Sequence, residues 1–149
     1  MGARTPDELR AYRAARALKL EVYRLINAHP EAKADYRFRS QLSEAAASNE
    51  MNTAEGFRRF VPGTFAHFLG IALGSREEVV RRVQDGIDRG YFRASACTTA
   101  FELAAESGRL TTALQTYLRK RARDRDRRRD RPRRRGGRSS KKPRDEPRT

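Results

Sequence analysis

The chain has one cysteine and two histidines among 149 residues, which leaves little material for disulfide, metal or thiol chemistry. Cys97 has no second cysteine to pair with, as fits a reducing compartment. A di-iron bundle places Glu-x-x-His pairs on its helices, and neither His29 nor His67 follows a carboxylate at that spacing. Cys97 has no histidine close in sequence and reads as a small apolar residue. No glycine-rich loop is placed to cradle a phosphate, so neither a cofactor nor an enzymatic reaction is expected. Long apolar runs are missing too. The charged stretch from Met1 to Arg16 is unlike a signal peptide, and no segment is apolar enough to cross a membrane. The expected location is the cytoplasm, without a membrane partner. Strand-like alternation is absent throughout, which excludes a sheet.

Charge of one sign is abundant. Lys and Arg number 34 against 19 Asp and Glu, a formal net charge of +15. Most of the excess is terminal: Arg121 to Thr149 holds 15 basic and 5 acidic residues. Apolar positions stop near Arg123, and Pro132, Gly136, Gly137, Pro143 and Pro147 follow. Such a segment buries too little apolar surface to offset its ordering entropy. The expected organisation is a domain over 1–120 and a disordered basic tail over 121–149, into which the last helix frays.

Four helices are expected before the tail. Thr5, Pro6 and Glu8 form a helix-start pattern with a capping box. Leu9, Tyr12, Ala15, Leu18, Val22 and Leu25 then recur at helical spacing up to about Asn27, ahead of Pro30. A second helix is expected from about Ala34 to Glu55, with Gly56 ending it and an inner line of Phe38, Leu42, Ala45, Asn49 and Asn52. The third follows Pro62 and Gly63 and carries Phe65, Phe68, Leu69, Ala72, Val79, Val80, Val83 and Ile87 up to Gly90. Ser95 is placed to cap a fourth carrying Phe101, Ala104, Leu110, Leu114, Tyr117 and Leu118. The fold class this predicts is all-α, an antiparallel up-and-down four-helix bundle with a disordered Arg-rich C-terminal tail.

Small and polar residues interrupt this pattern twice, which is costly inside a helix unless close approach or a buried hydrogen bond requires them. Ser48, Asn52 and Glu55 share one helix face, as Ser75 and Glu78 do on the next. Two carboxylates invite a metal or acid–base reading. The plainer reading is an interhelical hydrogen-bonded seam that sets register, with Glu55 bonded to backbone or Asn donors.

The stretches Ser40-Gln41-Leu42, Ala45-Ala46, Ser48 and Asn52 to Phe57 resemble the first signature of the small bacterial four-helix-bundle proteins called 23S rRNA-intervening-sequence proteins. Phe65, Phe68, Leu69, Ile71, Ala72, Gly74, Ser75 and Glu78 resemble the second, and Gly90, Tyr91 and Phe92 the turn after it. Val22 and Tyr23 resemble the family's first helix, and Leu114, Tyr117 and Leu118 its last. The resemblance spans about residues 7 to 120. The chain departs from it at Ser43 and Glu44, at Asn49 and Glu50, and at Arg76, where the family has basic, apolar or proline, and apolar residues respectively. The resemblance implies an antiparallel bundle. It also implies kinship with the accessory protein of diversity-generating retroelements, a basic pentameric ring that associates with a reverse transcriptase and nucleic acid. A homo-oligomer, such as that pentamer, and a reverse-transcriptase or other protein partner are what the resemblance adds.

From the residues themselves, the strongest functional lead is the tail. Arg121, Arg123, Arg125, Arg127, Arg128, Arg129, Arg131, Arg133, Arg134, Arg135, Arg138, Lys141 and Lys142 would meet RNA or DNA phosphates through counterion release. The tail has no aromatics, so base stacking there is not expected. Arg10, Arg13 and Arg16 on the first helix, with Arg81 and Arg82 on the third, extend the candidate surface over the body. A merely solubilising tail, with the bundle serving as a protein-binding adaptor, is the competing reading.

Overall fold

The computed structural model describes residues 2–132. Five α-helices follow in order: α1 (Arg10–Asn27), the short α2 (Pro30–Ala34), α3 (Tyr36–Arg58), α4 (Pro62–Asp88) and α5 (Thr98–Arg129). The four long ones close into a ring, α1 on α3, α3 on α4, α4 on α5 and α5 on α1. This is the antiparallel up-and-down bundle that the periodicity implies, and no strand occurs among the described residues.

Helix α1 buries Ala11, Ala14, Ala15, Leu18, Val22, Leu25 and Ile26 along one stripe. Its start differs from expectation. Pro6–Glu8 form a separate 3-10 turn, Leu9 is extended, and Thr5 makes no side-chain cap bond. Glu8 accepts from the Arg4 N–H at 2.8 Å instead of closing a box on Thr5. Pro30 opens α2, and Asp35 then caps α3 by accepting from the Phe38 N–H at 3.1 Å. Aspartate competes well for a helix N-terminus, so the chain breaks there.

Gly56 does not end α3, which continues to Arg58. A Cβ on Gly56 would lie 2.7 Å from Phe65 Cδ2 and 2.9 Å from Phe68 Cβ. The glycine therefore serves close approach of α4, and the turn falls later. There Phe60 has φ 55°, a left-handed conformation that costs a non-glycine residue roughly 1–2 kcal/mol. Pro62 at the start of α4 holds Val61 extended. Ser95 lies in a 3-10 turn, Ala94–Cys97, and its side chain caps nothing, since Cys97 is the residue that precedes α5.

The last helix also corrects the expected boundary. It runs on through Arg121–Arg129, so the segment placed in the disordered tail begins as helix. Arginine and alanine are good helix formers, and Ala122 packs beside the start of α4, 3.8 Å from where a Gly63 Cβ would be. Beyond Pro132 the expected disorder lies outside the described residues.

The interior has two apolar clusters. The larger joins Leu18, Val22, Leu25, Phe38, Leu42, Val79, Val83 and Phe92; the smaller joins Phe65, Ala66, Leu69 and Leu118. Each fully buried side chain of this size contributes about 1.5–3 kcal/mol. Between them along the helices lie buried Asn49, Thr53, Ser107, Thr111 and Gln115. The hydrogen bonds of such residues contribute about 1 kcal/mol net each. The apolar clusters hold the bundle, with this polar layer between them. Helix α5 turns its Ser107, Thr111 and Gln115 edge inward, so Tyr117, expected inside, is 54% exposed.

Candidate nucleic-acid interface and the polar seam

Ser48 and Ser75 meet across α3 and α4 at 2.7 Å between hydroxyl oxygens. Asn52 donates to the Ser48 carbonyl at 2.9 Å and to its Oγ at 3.0 Å. The two carboxylates stay out of this seam. Glu55 pairs with Arg59 at 2.8 Å and Glu78 with Arg82 at 3.2 Å, each on its own helix. Glu55 thus takes an arginine partner where backbone or Asn donors were expected, because Arg59 stands one turn along the same exposed face. Among the described residues, no three His, Cys, Asp or Glu side chains converge as metal ligands would.

Polar contacts that sequence spacing does not disclose lie deeper. The Asn49 amide donates to Ser107 Oγ at 3.3 Å, Thr53 donates to the Asn49 carbonyl at 2.9 Å, and Gln115 donates to the Ala66 carbonyl at 3.1 Å. Arg76 crosses to α5, where it donates to the Ala104 carbonyl at 3.3 Å and also pairs with Glu77. Gly108 makes room for it, since a Cβ there would lie 2.9 Å from Arg76 Nε. Glu50 is buried and gathers Tyr12, at 3.0 Å from its hydroxyl, and Lys19, at 2.5 Å from its Nζ. Burial, then the hydrogen bond to Glu50, raise the Tyr12 hydroxyl above its ordinary pKa. The departures at Asn49, Glu50 and Arg76 were the available signal, but the register between helices decides their partners.

The body arginines fall into two places. Arg10 and Arg13 line a groove of about 260 Å³ between α1 and α5, with Ala14, Ala17, Leu103, Glu106 and Leu110. Arg81 and Arg82 line another on α4 with Glu78 and Asp85. Several are already engaged. Arg13 donates to the Asp7 and Glu8 carbonyls, Arg16 lies 3.7 Å from Glu50, and Arg82 donates to Gln41 at 2.8 Å. Arg10 and Arg81 are exposed.

The densest basic element is the end of α5. Arg121, Arg123, Arg125, Arg127, Arg128 and Arg129 are all exposed on that helix, and Arg131 follows it. Arg121 donates to the Tyr117 hydroxyl at 2.8 Å, which raises its already high pKa. Arg125 and Arg129 line a groove of about 170 Å³ with Val61, Pro62, Gly63, Ala122 and Asp126. Arg133, Arg134, Arg135, Arg138, Lys141 and Lys142 lie outside the described residues.

Among the described residues, no helix is long and apolar enough to cross a membrane. The fold and its polar seam define a small four-helix-bundle protein with a basic terminal helix. The sequence model of the 23S rRNA-intervening sequence protein family matches residues 7–113. The chain belongs to that family, which is not known as a family of enzymes. Comparison with curated proteins finds no match.

Proposed function

We propose that this protein is a non-enzymatic, self-associating bundle that holds RNA or DNA electrostatically. The observation that carries this reading is the exposed arginine array on α5 from Arg121 to Arg129, continuous with the rigid bundle. Arginine there offers planar, bidentate contacts to phosphate. Helical order lowers the entropy lost on binding relative to a floppy segment of the same charge. Arg131 and the basic residues beyond the described region add to the same field. The bundle supplies the surface on which copies associate.

The test is binding of labelled RNA and DNA to the full chain and to a chain ending at Lys120. Loss of most affinity on truncation is the expected result. Equal binding by both would move the site to the body, and no binding by either would leave the arginines as solubilising charge. Exposed Met51 on α3 and Ile71 on α4 favour a second reading, a protein-binding adaptor such as a reverse-transcriptase accessory subunit. Capture of a protein partner that survives truncation, with no nucleic-acid binding, would select it.

A further inference from the structure

The turn between α3 and α4 carries an anomaly. Phe60 is 80% exposed, and its φ of 55° belongs to the region that glycine occupies most easily. Its ring touches little, with Phe57 at 5.9 Å between centroids. An aromatic held outward at a glycine-like position is left unexplained by the packing of this chain.

Its surroundings are basic. Phe60 immediately precedes Val61, which lines the groove shared with Arg125, Arg129 and one carboxylate, Asp126. Arg58 is exposed two residues before it. Among the described residues, no carboxylate lies within ion-pair distance of Arg58, Arg125 or Arg129. The adjoining first turn of α4 contains no acidic residue, and Val61 provides no side-chain cap for it. An exposed ring one residue from a groove with guanidinium groups on its wall is a combination suited to single strands: bases stack on the ring while cations track phosphates.

We propose that this end of the bundle is a single-strand nucleic-acid site, with Phe60 stacking a base and Arg125 and Arg129 holding the flanking phosphates. The inference rests on the nucleic-acid reading above and adds the strand class and the residues that select it. Although the tail has no aromatics, the helical course of α5 brings Arg125 and Arg129 to the groove lined by Val61, the residue that follows Phe60. Charge complementarity favours a polyanion over a second copy of this basic chain.

The test uses the full chain, a short labelled single strand (RNA and DNA in parallel) and the same strand annealed to its complement. Phe60→Gly relieves the backbone conformation, so the variant should melt no lower than the parent. It should bind the single strand about tenfold more weakly, leave duplex binding unchanged and keep the salt slope. Replacing Arg125 and Arg129 together by Gln should flatten the single-strand salt slope by about 1.4, at about 0.7 per phosphate lost. Equal parental affinity for both probes, with no effect of Phe60→Gly, would overturn this site while leaving electrostatic binding in place. Absence of all binding would overturn the wider reading with it. Loss of self-association in Phe60→Gly, measured by sedimentation without a change in single-strand affinity, would assign the turn to a second copy and overturn the proposal.

Discussion

Lys19 Nζ on α1 lies 2.5 Å from Glu50 Oε2 on α3, tying two neighbouring helices through a largely buried charge pair. Arg16 at 3.7 Å and the Tyr12 hydroxyl at 3.0 Å complete the group. Glu50→Ala should leave Lys19 without its partner and destabilise the fold by up to about 3 kcal/mol, the low end for a buried pair. Lys19 keeps some access to water, which limits the loss. Exchanging both residues for methionine should recover most of it, because no charge is then stranded. Urea unfolding of the single and double variants checks this.

Two glycines should respond oppositely to one added methyl group. Gly56→Ala pushes a Cβ into Phe65 and Phe68, with the Phe65 carbonyl at 3.2 Å behind them. It should destabilise by about 1–3 kcal/mol. Gly74→Ala meets nothing within 4 Å inside the same bundle. It should stabilise by up to about 1 kcal/mol through helix propensity alone. Thermal melts of the two variants decide the sign of each.

Asp35 couples the start of α3 to the turn after α4. Its carboxylate accepts from the Phe38 N–H at 3.1 Å and the Tyr91 hydroxyl at 2.8 Å. These bonds, the backbone one first, lower its pKa below the ordinary carboxylate value. The stabilisation is therefore complete above the unfolded pKa and is lost as pH falls through the folded one. Asp35→Asn should lower the melting temperature at neutral pH and reduce the acid-side decline attributable to this group. Melts across that acid range test it, and an unchanged decline would contradict the assignment.

Cys97 is fully buried at the junction before α5. Burial, with a smaller contribution from Glu21, pushes its thiol pKa up. The thiolate is the reactive form, so labelling by a thiol reagent at neutral pH should be slow in the native protein and fast in denaturant. Rapid native labelling would show that this junction opens.

Helix periodicity made the ring of long helices legible, because Leu18, Leu42, Leu69 and Val79 recur on buried faces. The helix ends were harder to read. Gly56 had the identity of a terminator, while the Phe65 ring decides its use; Phe60 took the left-handed turn position where glycine would have been expected. Arg121–Arg129 lacked an apolar stripe, yet Ala122 beside Gly63 and good helix propensity continue α5. Within the candidate site, same-helix spacing correctly grouped Ser48 with Asn52 but could not foresee that Arg59 and Arg82 hold the carboxylates. The contacts of Glu50 and the groove that Val61 shares with Arg125 depend on long-range register, which one-helix spacing does not encode.

The most direct measurement is a salt series of fluorescence-anisotropy titrations with labelled RNA and DNA against the full chain. If the arginine array neutralises roughly five duplex phosphates, log K should fall against log salt with a slope near −4 to −5. Affinity independent of salt, or no binding at low salt, would contradict an electrostatic nucleic-acid interface.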